Sequence, residues 1–182
     1  MKGIEELNIK YFLTKAVTDI FNMMLGIDVE LFDPNISSTL SNSHSVNTIL
    51  QHLKELSSLY EGDRVIGAVG IKGEASGLII LQMKYDLARS LAALALDIDL
   101  QKINDLAFVK DMVGEMTNMI AGNLKTGFNN AGLPCMITTT PSVYHGNNFK
   151  MTQPKGSKQE RYYFRYNRNI ALVEVYLSPP KN

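Results

Sequence analysis

The stretch "FVKDMVGEMTNMIAGNLKTGF", Phe108–Phe128, has the apolar spacing of a long helix yet carries Gly114 and Gly122 in its interior. Each glycine is expected to cost such a helix about 1 kcal/mol relative to alanine. The two bracket Asn118 by four residues on either side, about one helical turn. At about 100° per residue, Met112, Val113, Met116, Met119, Ile120, Leu124 and Phe128 form one apolar stripe that must pack on the rest of the fold. Asp111, Glu115, Asn118, Gly122 and Lys125 line the opposite side, where Glu115 and Asn118 are neighbours. Two readings fit the glycines. They strip the ridge around Asn118 so that a partner can approach and receive that amide, or they permit close packing within this chain.

The flanking sequence predicts the surroundings of this helix. Asn104 or Asp105 is placed to cap it, and "NNAG" at 129–132 to end it. Upstream, "YDLARSLAALALDI" reads as a helix with Leu87, Leu91, Leu94 and Ala95 on its inner face. "RVIGAVGIKGEASGLIILQM" reads as two strands around a tight turn at Lys72–Gly73. A first helix is predicted from Lys10 to Leu25, stopped by Gly26, and "IDVELF" after it as a short strand. Between Asp33 and Gly62 lies an excursion: a Ser/Asn-rich loop, then a short helix in "TILQHLKELSSLY". From Pro134 onward "CMITTTPSVYHG", "FKMTQ", "RYYFRYN" and "IALVEVYLS" read as strands. The expected architecture is α+β, with long helices packed on one face of a mostly antiparallel sheet, in a single domain over 1–182.

With 182 residues the chain is long enough for a sizeable core, and its 18 basic residues balance 18 acidic ones. That neutrality gives no electrostatic reason to expect nucleic acid or an anionic membrane. The lone cysteine, Cys135, fits a reducing compartment, and no apolar run approaches the roughly 20 residues of a membrane span. The N-terminal "MKGIEELNIKYFLTKAVTDIF" lacks the pattern of a secretory signal, so a cytoplasmic protein is expected.

Other candidate sites are weaker. His44, His52 and His145 are scattered and no Cys or carboxylate cluster joins them, so no metal site is expected. The glycines at 67, 70, 73 and 77 lack the spacing and the strand-to-helix context of a phosphate-binding loop. Between Lys150 and Arg168 six basic residues stand against one glutamate, interleaved with four aromatics. Such a segment can bind single-stranded nucleic acid. It also fits a half-buried edge strand, with Tyr162, Phe164 and Tyr166 on one face and Arg161 and Arg165 on the other. "DIFNMMLG" at 19–26 echoes "EMTNMIAG" at 115–122, as compatible with duplication as with coincidence.

The spacing Asp111, Glu115, Asn118, then twenty-two residues to Pro141 resembles the signature of the CheX/CheC/FliY family of chemotaxis phosphatases. "NMIAGN" at 118–123 and the order of elements are similar to the CheX branch, most strongly from Arg64 to Gly146. The resemblance implies a phosphatase that hydrolyses the aspartyl-phosphate of a CheY-like response regulator. It implies that Asn118 holds the attacking water and that Glu115 pairs with the regulator's active-site lysine. Asp111 would support the helix surface and Pro141 would shape the strand next to the site, both as part of the partner-binding face. The expectation that Gly114 and Gly122 give this face clearance follows from helix geometry rather than from the resemblance. Mg²⁺ would come with the regulator, so the chain needs no cofactor of its own. A homodimer is implied too. The alternative is an adaptor that binds a regulator through the same helix without catalysis. Asp19 and Asn22 have a similar but shorter spacing, a candidate degenerate second site.

Overall fold

A computed structural model describes residues 7–34 and 46–178, without the side chains at 46–49 and 52. The Ser/Asn-rich stretch at 35–45 with His44, the His52 side chain and residues 1–6 therefore lie outside the described residues. Helix α1, Ile9–Leu25, starts where the Asn8 side chain accepts the Tyr11 N–H. It stops at Gly26, whose φ of 63° is a left-handed turn that glycine adopts without strain. Strand β1, Glu30–Phe32, follows, and helix α2, Val46–Tyr60, forms the described part of the excursion.

Strands β2, Arg64–Gly73, and β3, Ser76–Lys84, make the expected hairpin. Its turn centres on Glu74 rather than on Lys72–Gly73, because β2 continues through Gly73 to pair with β4. Helix α3 spans Tyr85–Ala95 and helix α4 spans Leu106–Asn130, capped by the Asp105 carboxylate on the Ala107 N–H. The inner face of α3 is Leu87, Ala88, Leu91 and Ala92. Leu94 and Ala95 were expected inside but are exposed, in the last turn of α3, which ends at Ala95.

Strands β4, Cys135–Ile137, β5, Ser142–Gly146, β6, Lys158–Tyr166, and β7, Asn169–Ser178, complete the sheet. "FKMTQ", expected as a strand, runs outside it. Among the described residues the order is β1-β6-β7-β3-β2-β4, with β5 also on β2, and each pairing is antiparallel.

Alternation along β7 assigns the two faces. Ala171, Val173, Val175 and Leu177 point into the main core with α1, α3 and α4. Ile170 and Leu172 point the other way, where Leu59 of α2 covers them, and Tyr176 packs there with Ile66 and Ile80. So the long helices α1 and α4 share one face, as expected, while α2 takes the opposite one. Strand β6 is interior, flanked by β1 and β7, and not the edge strand its composition resembles. Its arginines meet carboxylates: Arg161 with Glu174 at 2.8 Å, and Arg165 with Glu30 and Glu55. That pairing is the physical reason to set aside a phosphate-neutralising strand.

Candidate functional site on helix α4

Helix α4 is held down by a nearly solvent-free row, Val109, Val113, Met116, Ile120, Leu124 and Phe128. Its buried arc is wider than the predicted stripe, taking in Gly114, Thr117 and Ala121 as well. Thr117 is fully buried and donates its hydroxyl to the Val113 carbonyl at 2.6 Å, which removes an otherwise unsatisfied polar group from the interface with β2.

On the outward side Asp111 and Glu115 are exposed, while Asn118, Gly122 and Lys125 are half-buried. Among the described residues, the side chains of Glu115 and Asn118 make no hydrogen bond and no ion pair. An unengaged carboxylate and an unengaged carboxamide one turn apart leave their hydrogen-bonding capacity to solvent or to a docked molecule.

Pro141 arrives by a long return path, which explains the twenty-two intervening residues. After Asn118 the helix runs on to Asn130, turns, and pairs as β4 along β2. The β4–β5 connection is then pinned to Gly70: Thr138 N–H to the Gly70 carbonyl, and Gly70 N–H to Thr139 Oγ1, both 2.9 Å. Pro141 lands beside α4 at the level of Gly114, one turn before Asn118.

The two glycines differ. A methyl group at Gly114 would lie 3.1 Å from Val143 Cγ2 and 3.7 Å from Pro141 Cβ, so Gly114 is buried by its own chain. The expectation that it bares the ridge for a partner is corrected: Gly114 is where β5 packs on the helix. At Gly122 nothing stands within 4 Å of such a methyl. Gly122→Ala should therefore raise stability by up to about 1 kcal/mol through helix propensity. Gly114→Ala should gain nothing, since Val143 must move to make room. Thermal melts of the two variants check the contrast.

The second candidate pair on α1 is engaged elsewhere. Asp19 pairs with Lys15 at 2.8 Å, and the Asn22 amide donates to Asp28 at 3.2 Å. His145 sits on β5 with its Nε2 3.8 Å from Asp63 and its ring against Tyr85. Among the described residues no three or more His, Cys, Asp or Glu side chains are grouped to hold a metal, and no helix is long and apolar enough to cross a membrane.

One cluster escaped the sequence reading. On the sheet face opposite α4, Arg64, Gln82 and Glu174 are buried beside Arg161 and Gln159. The available signal was a lone glutamate in the middle of "IALVEVYLS", a charge in an otherwise apolar strand.

Residues 65–165 match the family model described as chemotaxis phosphatase CheX. Among solved structures, a chemotaxis protein CheX from Vibrio vulnificus is 18% identical with a TM-score of 0.71, covering 94% of this chain and 97% of that one. A CheX from Desulfovibrio desulfuricans is 23% identical with a TM-score of 0.71, covering 94% of this chain and all of that one. A CheX–CheY–BeF3–Mg²⁺ complex from Borrelia burgdorferi aligns with a TM-score of 0.66 at 23% identity, over 95% of this chain and 99% of that one. At these identities the likeness establishes the fold. No curated protein matches this chain in sequence.

Proposed function

The chain belongs to the family of the chemotaxis phosphatase CheX, and from that premise we propose that it hydrolyses the aspartyl-phosphate of a CheY-like response regulator. The observation that carries the reading is the open, unengaged pair Glu115 and Asn118 on a helix otherwise locked into the core. In this reading α4 docks on the regulator and Asn118 enters its active site. The carboxamide oxygen accepts a hydrogen bond from water and aligns its lone pair with phosphorus. The water oxygen then bonds to phosphorus as the phosphorus–oxygen bond to the aspartate breaks; the aspartate leaves as its carboxylate, and both water protons depart with the inorganic phosphate. Such phosphoryl transfer depends mainly on positioning and charge stabilisation, so one well-held amide contributes strongly. An amide also stays neutral across the working pH range.

Glu115 stands ready to meet a cation, and the regulator's active-site lysine is the partner assigned to it. Mg²⁺ belongs to the regulator in this scheme. The Borrelia complex, which contains CheY, BeF3 and Mg²⁺, supports that division of labour, since beryllofluoride is a chemical stand-in for a phosphoryl group.

The deciding experiment mixes the protein with phosphorylated regulator and follows phosphate release. Acceleration over spontaneous hydrolysis supports the enzyme; binding with release at the background rate selects the adaptor instead. Glu115→Gln separates docking from chemistry. It should raise KM about tenfold, the effect of one charge-assisted contact, with kcat nearly unchanged. A fall in kcat alone would remove the anchoring role.

A further inference from the structure

We propose that the sheet face opposite α4 carries a binding site for a small dianionic molecule, a phosphate monoester or a dicarboxylate, built around Arg64. A cavity of about 410 Å³ opens there, floored by β2, β3, β6 and β7. Arg64 lines it while only 6% exposed. Of the five N–H donors of a guanidinium, one is used, from Nη1 to Gln82 Oε1 at 3.2 Å. Its Nε is buried without a partner, and Arg64 forms no ion pair among the described residues.

A buried cation without a counter-ion is costly unless something anionic joins it. Glu174 does not serve. That carboxylate, 1% exposed, already accepts from Arg161 Nε at 2.8 Å, Gln159 Nε2 at 2.7 Å and Gln82 Nε2 at 3.1 Å. Lys150 adds a third cation to the lining and has no ion pair among the described residues. Three cations against one carboxylate leave the cavity two positive charges in excess, which sets the charge of the occupant.

Aromatic rings flank the guanidinium. Its central carbon lies 5.8 Å from the Tyr60 ring and 5.6 Å from the Phe149 ring. These cation–π contacts fix the fork without consuming its in-plane donors. Tyr60 ends α2 and Phe149 lies in "FKMTQ", so the excursion and the segment that left the sheet converge on one arginine. Nothing in the proposed phosphatase reaction uses either segment.

The test titrates the full-length protein with inorganic phosphate, adenosine monophosphate and succinate, by calorimetry and by amide NMR. Saturable binding of at least one probe is expected, with shifts at Tyr60, Arg64 and Phe149, weakening as salt screens the pair. Binding of the phosphate probes alone assigns a phosphate monoester; binding of succinate alone assigns a dicarboxylate. Arg64→Gln should abolish binding. Lys150→Gln, an exposed change that leaves the core intact, should weaken it about tenfold. Asn118→Ala should bind as wild type, which keeps this site separate from the phosphatase reading. No saturable binding of any probe, or binding unchanged in both cavity variants, overturns the proposal.

Discussion

Asn118→Ala is expected to return regulator dephosphorylation to near its spontaneous rate, a loss of about a hundredfold or more, while the fold and the binding of regulator persist. The protein side of this expectation is unusually clean. The Asn118 side chain makes no hydrogen bond among the described residues, so truncating it leaves no buried donor or acceptor unsatisfied. Alanine is also the better helix former, so α4 should gain a few tenths of a kcal/mol. Lost turnover at unchanged or higher Tm is then attributable to the amide itself. Asn118→Asp sharpens the point. It keeps size and an acceptor but removes the N–H donors and places a negative charge near the phosphoryl group, so it should be as slow as alanine. A variant of either kind that matches wild type would remove Asn118 from the chemistry. Binding lost along with turnover would make it a docking residue.

Much of the frame that holds this amide was legible in local periodicity. The helical spacing of Tyr11, Phe12, Val17, Ile20, Phe21, Met24 and Leu25 before Gly26 set α1, and the apolar run around Val113 and Ile120 set α4. Tyr11 proves exposed, however, and the Asn8 cap and buried Leu13 were not read. The turn signals around Gly73 gave the β2–β3 hairpin within two residues. What failed was non-local. Whether Gly114 faces a partner or its own chain depends on where Val143 lands, and Val143 reaches it only after β4 and the Gly70 contacts have brought the chain back. No window centred on the helix contains that information. The same holds for β6: its alternation of Arg and Tyr fits an edge, and only β1 pairing on its far side makes it interior. The Arg64 cavity was invisible because its walls come from α2 and from 148–151, segments whose placement depends on a sheet face that neither one specifies alone.

A large stability effect is expected beneath the ridge, at Gly67. A methyl group there would lie 2.1 Å from Thr117 Oγ1, 3.1 Å from Thr117 Cβ and 3.2 Å from the Val113 carbonyl. Gly67 is thus a point of close approach between α4 and the sheet, and the residue pressed against it immediately precedes Asn118. Thr117 has little room to yield. It is fully buried and its hydroxyl is tied to Val113 O. Gly67→Ala must therefore lift α4 or bend β2, an overpacking error of about 3 kcal/mol. For a chain of this length that corresponds to a fall in Tm of roughly 6–12 °C. Activity should fall as well, because Asn118 rides on the turn that is displaced. A double-mutant cycle isolates the cause. Thr117→Ala alone should cost about 1 kcal/mol, having removed an internal hydrogen bond and a methyl. In the Gly67→Ala background it should instead restore much of the lost stability, since the closest atom in the clash is gone. A coupling of 1 kcal/mol or more in that direction identifies the Gly67–Thr117 contact as what seats the helix. Simple additivity would place the strain elsewhere in the sheet.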